Sequence, residues 1–315
     1  MTSPQNIKPQ NIEASVRAQL MSVAKKTNRP FAEVLQYYGM ERFLYRLSQS
    51  KYAGGFVLKG ALMFKVWEVL EMRATRDIDF LGRFDNEIAK LENMIKEICH
   101  TEIQPDGLIF DQATVKGEKI KEDAEYEGAR IKFRGFLGKA RIPMQIDVGF
   151  GDVIFPKAKV IDYPILLDFP QPQLQGYTAE SVVAEKFEAI VKLGALNSRM
   201  KDFYDIWLMM RQFDFTGDEL AQAFRRTFEH RKTTLPPKLP FFAPEIYDDA
   251  SDRQTLWSAF RQKGEIKHAP ERLRDVAKTI EVFLEEPVAF SMNRNKAIGI
   301  WTAPGPWQSM PIPKK

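Results

Sequence analysis

Two carboxylates stand one residue apart in RATRDIDF, residues 73–80. On a strand, side chains alternate, so Asp77 and Asp79 would share one face and Ile78 and Phe80 the other. Like charges that close repel each other. Solvent, the neighbouring Arg73 and Arg76, or a metal ion could offset the repulsion. A third acid, Asp147, lies in PMQIDVGFGD, where Gln145, Asp147 and Gly149 alternate with Met144, Ile146 and Val148. If the two strands are neighbours, three carboxylates converge, and carboxylate oxygens are the ligands Mg²⁺ prefers. Two such ions can activate an attacking oxygen, neutralise phosphates and stabilise a leaving group. The plainer reading makes each acid a solvated position or the ion-pair partner of an arginine.

Lys59-Gly60-Ala61 ends one strand and opens a helix. A glycine there lets the backbone approach a phosphate, and a helix start offers free N–H groups; a tight turn alone could also require it. In TAESVVAEKFEAIVKLG, residues 178–194, Lys186 falls inside the apolar stripe of Val182, Val183, Phe187, Ile190 and Val191. A lysine so placed holds a phosphate, snorkels, or pairs with an acid such as Glu185. Further on, NSRMKDFYDIWLMM puts Asp202 and Asp205 on one helix face behind Arg199. Those acids either complement the helix dipole and pair with nearby cations, or Asp202 orients Lys186 or accepts a proton. Arg199 could bind a phosphate. Arg225, Arg226, His230, Arg231 and Lys232 form a basic run that is either a solvated face or an RNA-backbone contact. The three histidines lack metal-ligand spacing, and there is no Walker A motif or G-x-S-x-G elbow.

The elements that must position these residues follow from periodicity. Residues 11–50 read as two helices, and Pro30 suits the first turn of the second. Phe56–Leu58 reads as a short strand, 61–70 as a helix, 77–82 as a strand, and 86–99 as a helix capped by Asp85. From about 107 to 150, segments such as RIKFRGFL alternate as strands between glycine turns. Helical spacing resumes after Thr178, and IWTAPGPWQSMPIPKK reads as an irregular tail. The expected organisation is α+β. Helices at 1–50 pack on a mixed α/β domain at 51–170, followed by a helical domain at 171–290 and a tail at 291–315 carrying Trp301 and Trp307. A chain of 315 residues, 44% hydrophobic, can bury a sizeable core. The single cysteine, Cys99, forms no internal disulfide and suits a cytoplasmic location. MTSPQNIKPQ has no apolar stretch for a secretory leader, and no apolar run approaches a membrane span. The net charge of +4 is compatible with a nucleotide or nucleic-acid partner without requiring one.

Together, FVLKGALMF, TRDIDFLG, MQIDVGFGD and SVVAEKFEAIVKLGALNSRMKDFYDIW resemble the AbiEii-type toxins of abortive-infection toxin–antitoxin systems. These belong to the nucleotidyltransferase (DNA polymerase β-like) superfamily, and the resemblance covers about residues 11–211. It implies a nucleotidyltransferase core joined to a helical domain across a cleft. It also implies Mg²⁺-dependent transfer of a nucleoside monophosphate from an NTP. Some related toxins modify tRNA, so an RNA acceptor is among the implied partners, with a separately encoded antitoxin. Asp77 and Asp79 fall on the metal pair, Asp147 on the third acid, and Gly60, flanked by Lys59 and Ala61, on the phosphate loop. Lys186 and Asp202 match the later motif lysine and aspartate, with Arg199 a further phosphate contact. The superfamily loop usually reads Gly-Ser or Gly-Gly, and Ala61 departs from it by lacking a hydroxyl. The rivals are a metal-dependent nuclease using the same acids, which has little need of Gly60 and Lys186, and a non-catalytic nucleotide-binding module.

Overall fold

The computed structural model describes residues 12–121, 127–194, 197–236, 247–248, 251–292 and 299–309. The leading MTSPQNIKPQ and the end of the tail lie outside the described residues. The chain divides into two compact units. One comprises residues 1–67, 75–151 and 160–176; the other comprises 68–74, 152–159 and 177–315.

The first unit begins with helices α1 (Ile12–Thr27) and α2 (Phe31–Gln49), and Pro30 stands at the N-cap of α2. Its seven-stranded sheet contains β1 (Phe56–Lys59), β2 (Asp77–Gly82), β3 (Leu108–Lys121), β4 (Glu127–Leu137), β5 (Ala140–Phe150), β6 (Lys159–Asp162) and β7 (Gln173–Gly176). The order across the sheet is β3-β4-β5-β2-β1-β7-β6. β2 runs parallel to β5 and β1 parallel to β7, while β1–β2, β3–β4 and β4–β5 are antiparallel. Ile78 and Phe80 of β2 and Met144, Ile146 and Val148 of β5 are buried. Gly39 of α2 lies against Ile142 and Met144, and Gly117 of β3 lies against Ile88 of α4 (Ile88–Cys99). These helices cover the apolar face, and the charged residues of β2 and β5 occupy the other.

Two helices differ from the reading of the sequence. The expected helix over 61–70 shrinks to α3 (Met63–Val66), preceded by a 3-10 turn at Gly60–Leu62. Glu68 and Glu71 adopt left-handed backbone, φ 53° and 63°, and no α-helix continues through such residues. α4 begins at Ile88 with Glu87, not Asp85, at the cap.

The second unit holds α5 (Ala179–Leu193), α6 (Met200–Gln212), α7 (Gly217–His230), α8 (Asp252–Lys263) and α9 (Leu273–Met292). Phe187 of α5 meets Phe224 and Phe228 of α7 at ring separations of 4.9 and 5.1 Å. The tail, expected to be irregular, contributes β9 (Ile300–Trp301) and β10 (Trp307–Gln308), which join β8 (Phe215–Thr216) in a small antiparallel sheet. Burial drives this. Trp301 and Trp307 pack on Phe283, and their indole N–H groups donate to Met210 O and Phe283 O.

Candidate active site

The strand acids are positioned by register. Across four strands, Lys59 of β1 is opposite Asp79 of β2, Asp79 beside Asp147 of β5, and Asp147 opposite Arg130 of β4. Register partners point to one face, so the sheet carries a row of cation, acid, acid, cation. The next row holds Asp77, Gln145, Lys132 and Lys116. Asp77, Asp79 and Asp147 are each partly exposed, whereas Lys59 is buried.

Gly60 closes the first row. Its φ of +69° is left-handed, and a Cβ built on it would overlap the Asp79 carboxylate, coming within 2.7 Å of Cγ. Glycine is required here twice over, by backbone conformation and by the approach of the acid. The turn therefore sets the Gly60 backbone directly against Asp79. Ala61 follows, buried in the 3-10 turn.

Asp147 has a partner the sequence did not disclose. Arg130 donates to both of its oxygens, Nε to Oδ1 at 2.8 Å and the terminal nitrogen to Oδ2 at 2.7 Å. That bond, against the opposing effect of partial burial, holds the Arg130 pKa above its ordinary value. β2 and β5 are neighbours, so the three acids share one sheet face, and Asp147 is paired there with Arg130. Among the described residues no group of three or more His, Cys, Asp or Glu could hold a metal ion. Asp77 and Asp79 do suit Mg²⁺, which commonly binds one or two carboxylates and completes its shell with water and substrate phosphate. Asp147 would have to give up Arg130 to join them. The signal for Arg130 was its place in RIKFRGFL, where Arg130, Lys132 and Arg134 alternate on one face.

The second unit gathers the other candidates. Lys186 of α5 pairs with Asp202 at 3.0 Å and Asp205 at 2.7 Å, both on α6. Both acids are wholly buried. Arg199, at the cap of α6 and 40% exposed, reaches Asp202 at 2.8 Å. Arg73 forks onto Asp205 with bonds of 3.0 and 3.1 Å. Burial disfavours the Lys186 ammonium, but Asp205 and Asp202 outweigh it and raise its pKa. Burial likewise works against the Asp205 carboxylate, and Arg73 and Lys186 outweigh it, lowering its pKa. Lys186 therefore pairs with acids in this arrangement, and Asp202 is the residue that bonds both Lys186 and Arg199.

Two charge assignments change. Arg73, considered as a counter-ion for Asp77 and Asp79, serves Asp205 instead. Arg231, considered as a solvated or RNA-contacting position, is half-buried between Asp152 at 2.8 Å and Glu188 at 2.9 Å. A guanidinium spent on two buried carboxylates is a structural clamp.

A family model described as Nucleotidyl transferase AbiEii toxin, Type IV TA system, matches residues 42–284. No curated protein matches the chain. Two solved structures from Helicobacter pylori are similar. One is a candidate nucleotidyltransferase, 13% identical, covering 92% of this chain and 99% of its own, with a TM-score of 0.42. The other is JHP933, 12% identical, covering 92% and 97%, also with a TM-score of 0.42. The family match spans well over half the chain and includes the Gly60 turn, all three strand acids and the Lys186 network: this protein belongs to the AbiEii nucleotidyl transferase toxin family of type IV toxin–antitoxin systems.

Proposed function

We propose that this transferase moves a nucleoside monophosphate from an NTP to an acceptor in a Mg²⁺-dependent reaction, the acceptor being RNA, with tRNA the first to test. The single observation that carries this reading is the contact of the Gly60 turn with Asp79. A phosphate held by backbone N–H groups at that turn would lie beside a carboxylate suited to a phosphate-bound cation. Asp77 and Asp79 would hold the ion, which when bound supplies charge neutralisation of the phosphates and activation of the attacking oxygen.

The chain's own groups have distinct tasks. Backbone N–H groups after Gly60 bind phosphate, and Lys59 lies opposite Asp79 to limit the repulsion between Asp79 and Asp147. Lys186 and Arg199 bind the triphosphate or acceptor. Arg199 has the exposure for direct contact, and Asp202, wholly buried between them, acts by orienting both. A separately encoded antitoxin would counter the toxin in the cytoplasm, in a system that serves phage defence.

Asp79→Ala is the test. With each labelled NTP, Mg²⁺ and total cellular RNA and protein, the wild-type chain should label an acceptor. The variant should lose at least about 100-fold of that rate while keeping its circular dichroism spectrum. Undiminished labelling by a folded variant refutes the reading, and RNA shortening without added NTP would establish the nuclease.

A further inference from the structure

The sheet face that carries Asp77 continues outward as a trough of about 790 Å³ over β3, β4 and β5. Five cations line it against two carboxylates, a surplus of three in a chain whose whole surplus is four. Glu118 neutralises one cation by pairing with Lys132 at 2.8 Å. Arg76, Lys116, Arg134 and Arg141 are exposed, and none of the four forms an ion pair with a described residue. A merely solvated face needs no such concentration of one sign, because unbalanced like charges repel and gain nothing from proximity.

We propose that this trough is a docking surface for an unpaired polynucleotide strand, which it leads toward Asp77. The proposal rests on the reading of the protein as a transferase with an RNA acceptor and names the surface that receives it. Three features favour a strand over a nucleotide. First, the cations are dispersed. Lys116, Lys132, Gln145 and Asp77 form one register row across four strands, and strands lie about 4.8 Å apart, so the row spans about 14 Å. Arg141 stands four residues along β5 from Gln145, about 13 Å away. A triphosphate gathers its charge in one place, whereas a polynucleotide backbone distributes it.

Second, an aromatic side chain closes the series. On β4, Lys132, Arg134 and Phe136 alternate onto the same face, and Phe136 is opposite Arg141 and Ile109. Phe136 is only partly buried and Ile109 is 64% exposed. Cations that follow a backbone, beside a ring on which a base can stack, are the combination that holds single strands. Third, Asp77 lines the trough at the β2 end of that register row, so a bound strand would place its nearest nucleotide at the acids.

The full chain is titrated with a short fluorescent single-stranded RNA, with DNA of the same sequence, and with NTP, each at two salt concentrations. The wild-type chain should bind the polynucleotides, with affinity falling steeply with salt. Lys116→Glu with Arg134→Glu and Arg141→Glu should weaken polynucleotide binding at least about 10-fold and flatten the salt slope by about two to three, while NTP affinity stays within about twofold. Should the triple variant not fold, Arg134→Gln with Arg141→Gln should weaken binding about fivefold. Equal affinity for RNA and DNA supports recognition of the backbone, and tighter RNA binding supports recognition of the sugar as well. Three results overturn the proposal: no polynucleotide binding by the wild-type chain, unchanged binding by the variants, or a parallel loss of NTP affinity, which would make the trough a donor site. Failure of the transferase reading is separately visible. Asp79→Ala should lose transfer yet keep its RNA affinity.

Discussion

At Gly60 one hydrogen atom in place of a methyl group allows a backbone turn to meet a carboxylate. Gly60→Ala would force Asp79 aside and strain the left-handed turn, so transfer should fall at least about 100-fold, with about 1–3 kcal/mol of stability lost. Gly194 gives the control. Its φ is also positive, +48°, but no described residue lies within 4 Å of a Cβ there, so Gly194→Ala should cost stability alone, as transfer assays and melting would show. A second single-residue effect is pH-dependent. Burial raises the Glu41 pKa to about 7, against the lowering influence of Arg42. A carboxyl whose folded pKa is raised binds its proton more tightly in the native state. Its cost is absent below the unfolded value of about 4.5 and complete above about 7, reaching about 3 kcal/mol. Stability measured by denaturant melting should carry that decline between these pH values, and Glu41→Gln should remove it.

At the scale of elements, α5 and α6 are joined by charge as well as by packing. Lys186, Arg73 and Arg199 converge on two acids one helical turn apart. Asp205→Asn leaves two half-buried cations undercompensated around a buried position and should destabilise the protein by about 3 kcal/mol, read by thermal or denaturant unfolding. The sign with pH follows from its lowered pKa: this stabilisation is present above the ordinary carboxylate range and is lost as pH falls through the folded value. The helix over 178–194 was plain in sequence because an apolar stripe of period 3.6 needs only local information. The polar tie to α6 was half visible. Asp202 and Asp205 share a face by spacing, but which cation each would receive depended on Arg73, more than 130 residues away. The tail strands were missed for the same reason. Two residues each, on either side of Pro304 and Pro306, they exist only because Trp301 and Trp307 find Phe283.

For the whole molecule, a ligand that binds only the folded chain stabilises it by mass action. Mg²⁺ at about 100 times its dissociation constant should add about 2.7 kcal/mol, and chelation should remove it. Asp77→Asn with Asp79→Asn should abolish the shift; a shift that persists in the double variant places the ion elsewhere. No described helix is long and apolar enough to cross a membrane. The sequence by itself determined which residues alternate on β2 and β5, the need for glycine at 60, the place of Lys186 inside an apolar stripe and the ordered motifs that point to the family, since each depends on local periodicity or order along the chain. Only the tertiary structure decided that Asp147 belongs to Arg130, that Arg73 serves Asp205, that Arg231 clamps Asp152 and Glu188, and that scattered cations on β3, β4 and β5 line one trough. Strand order and register set those pairings, and both arise from the packing of segments far apart in sequence, which no local pattern encodes.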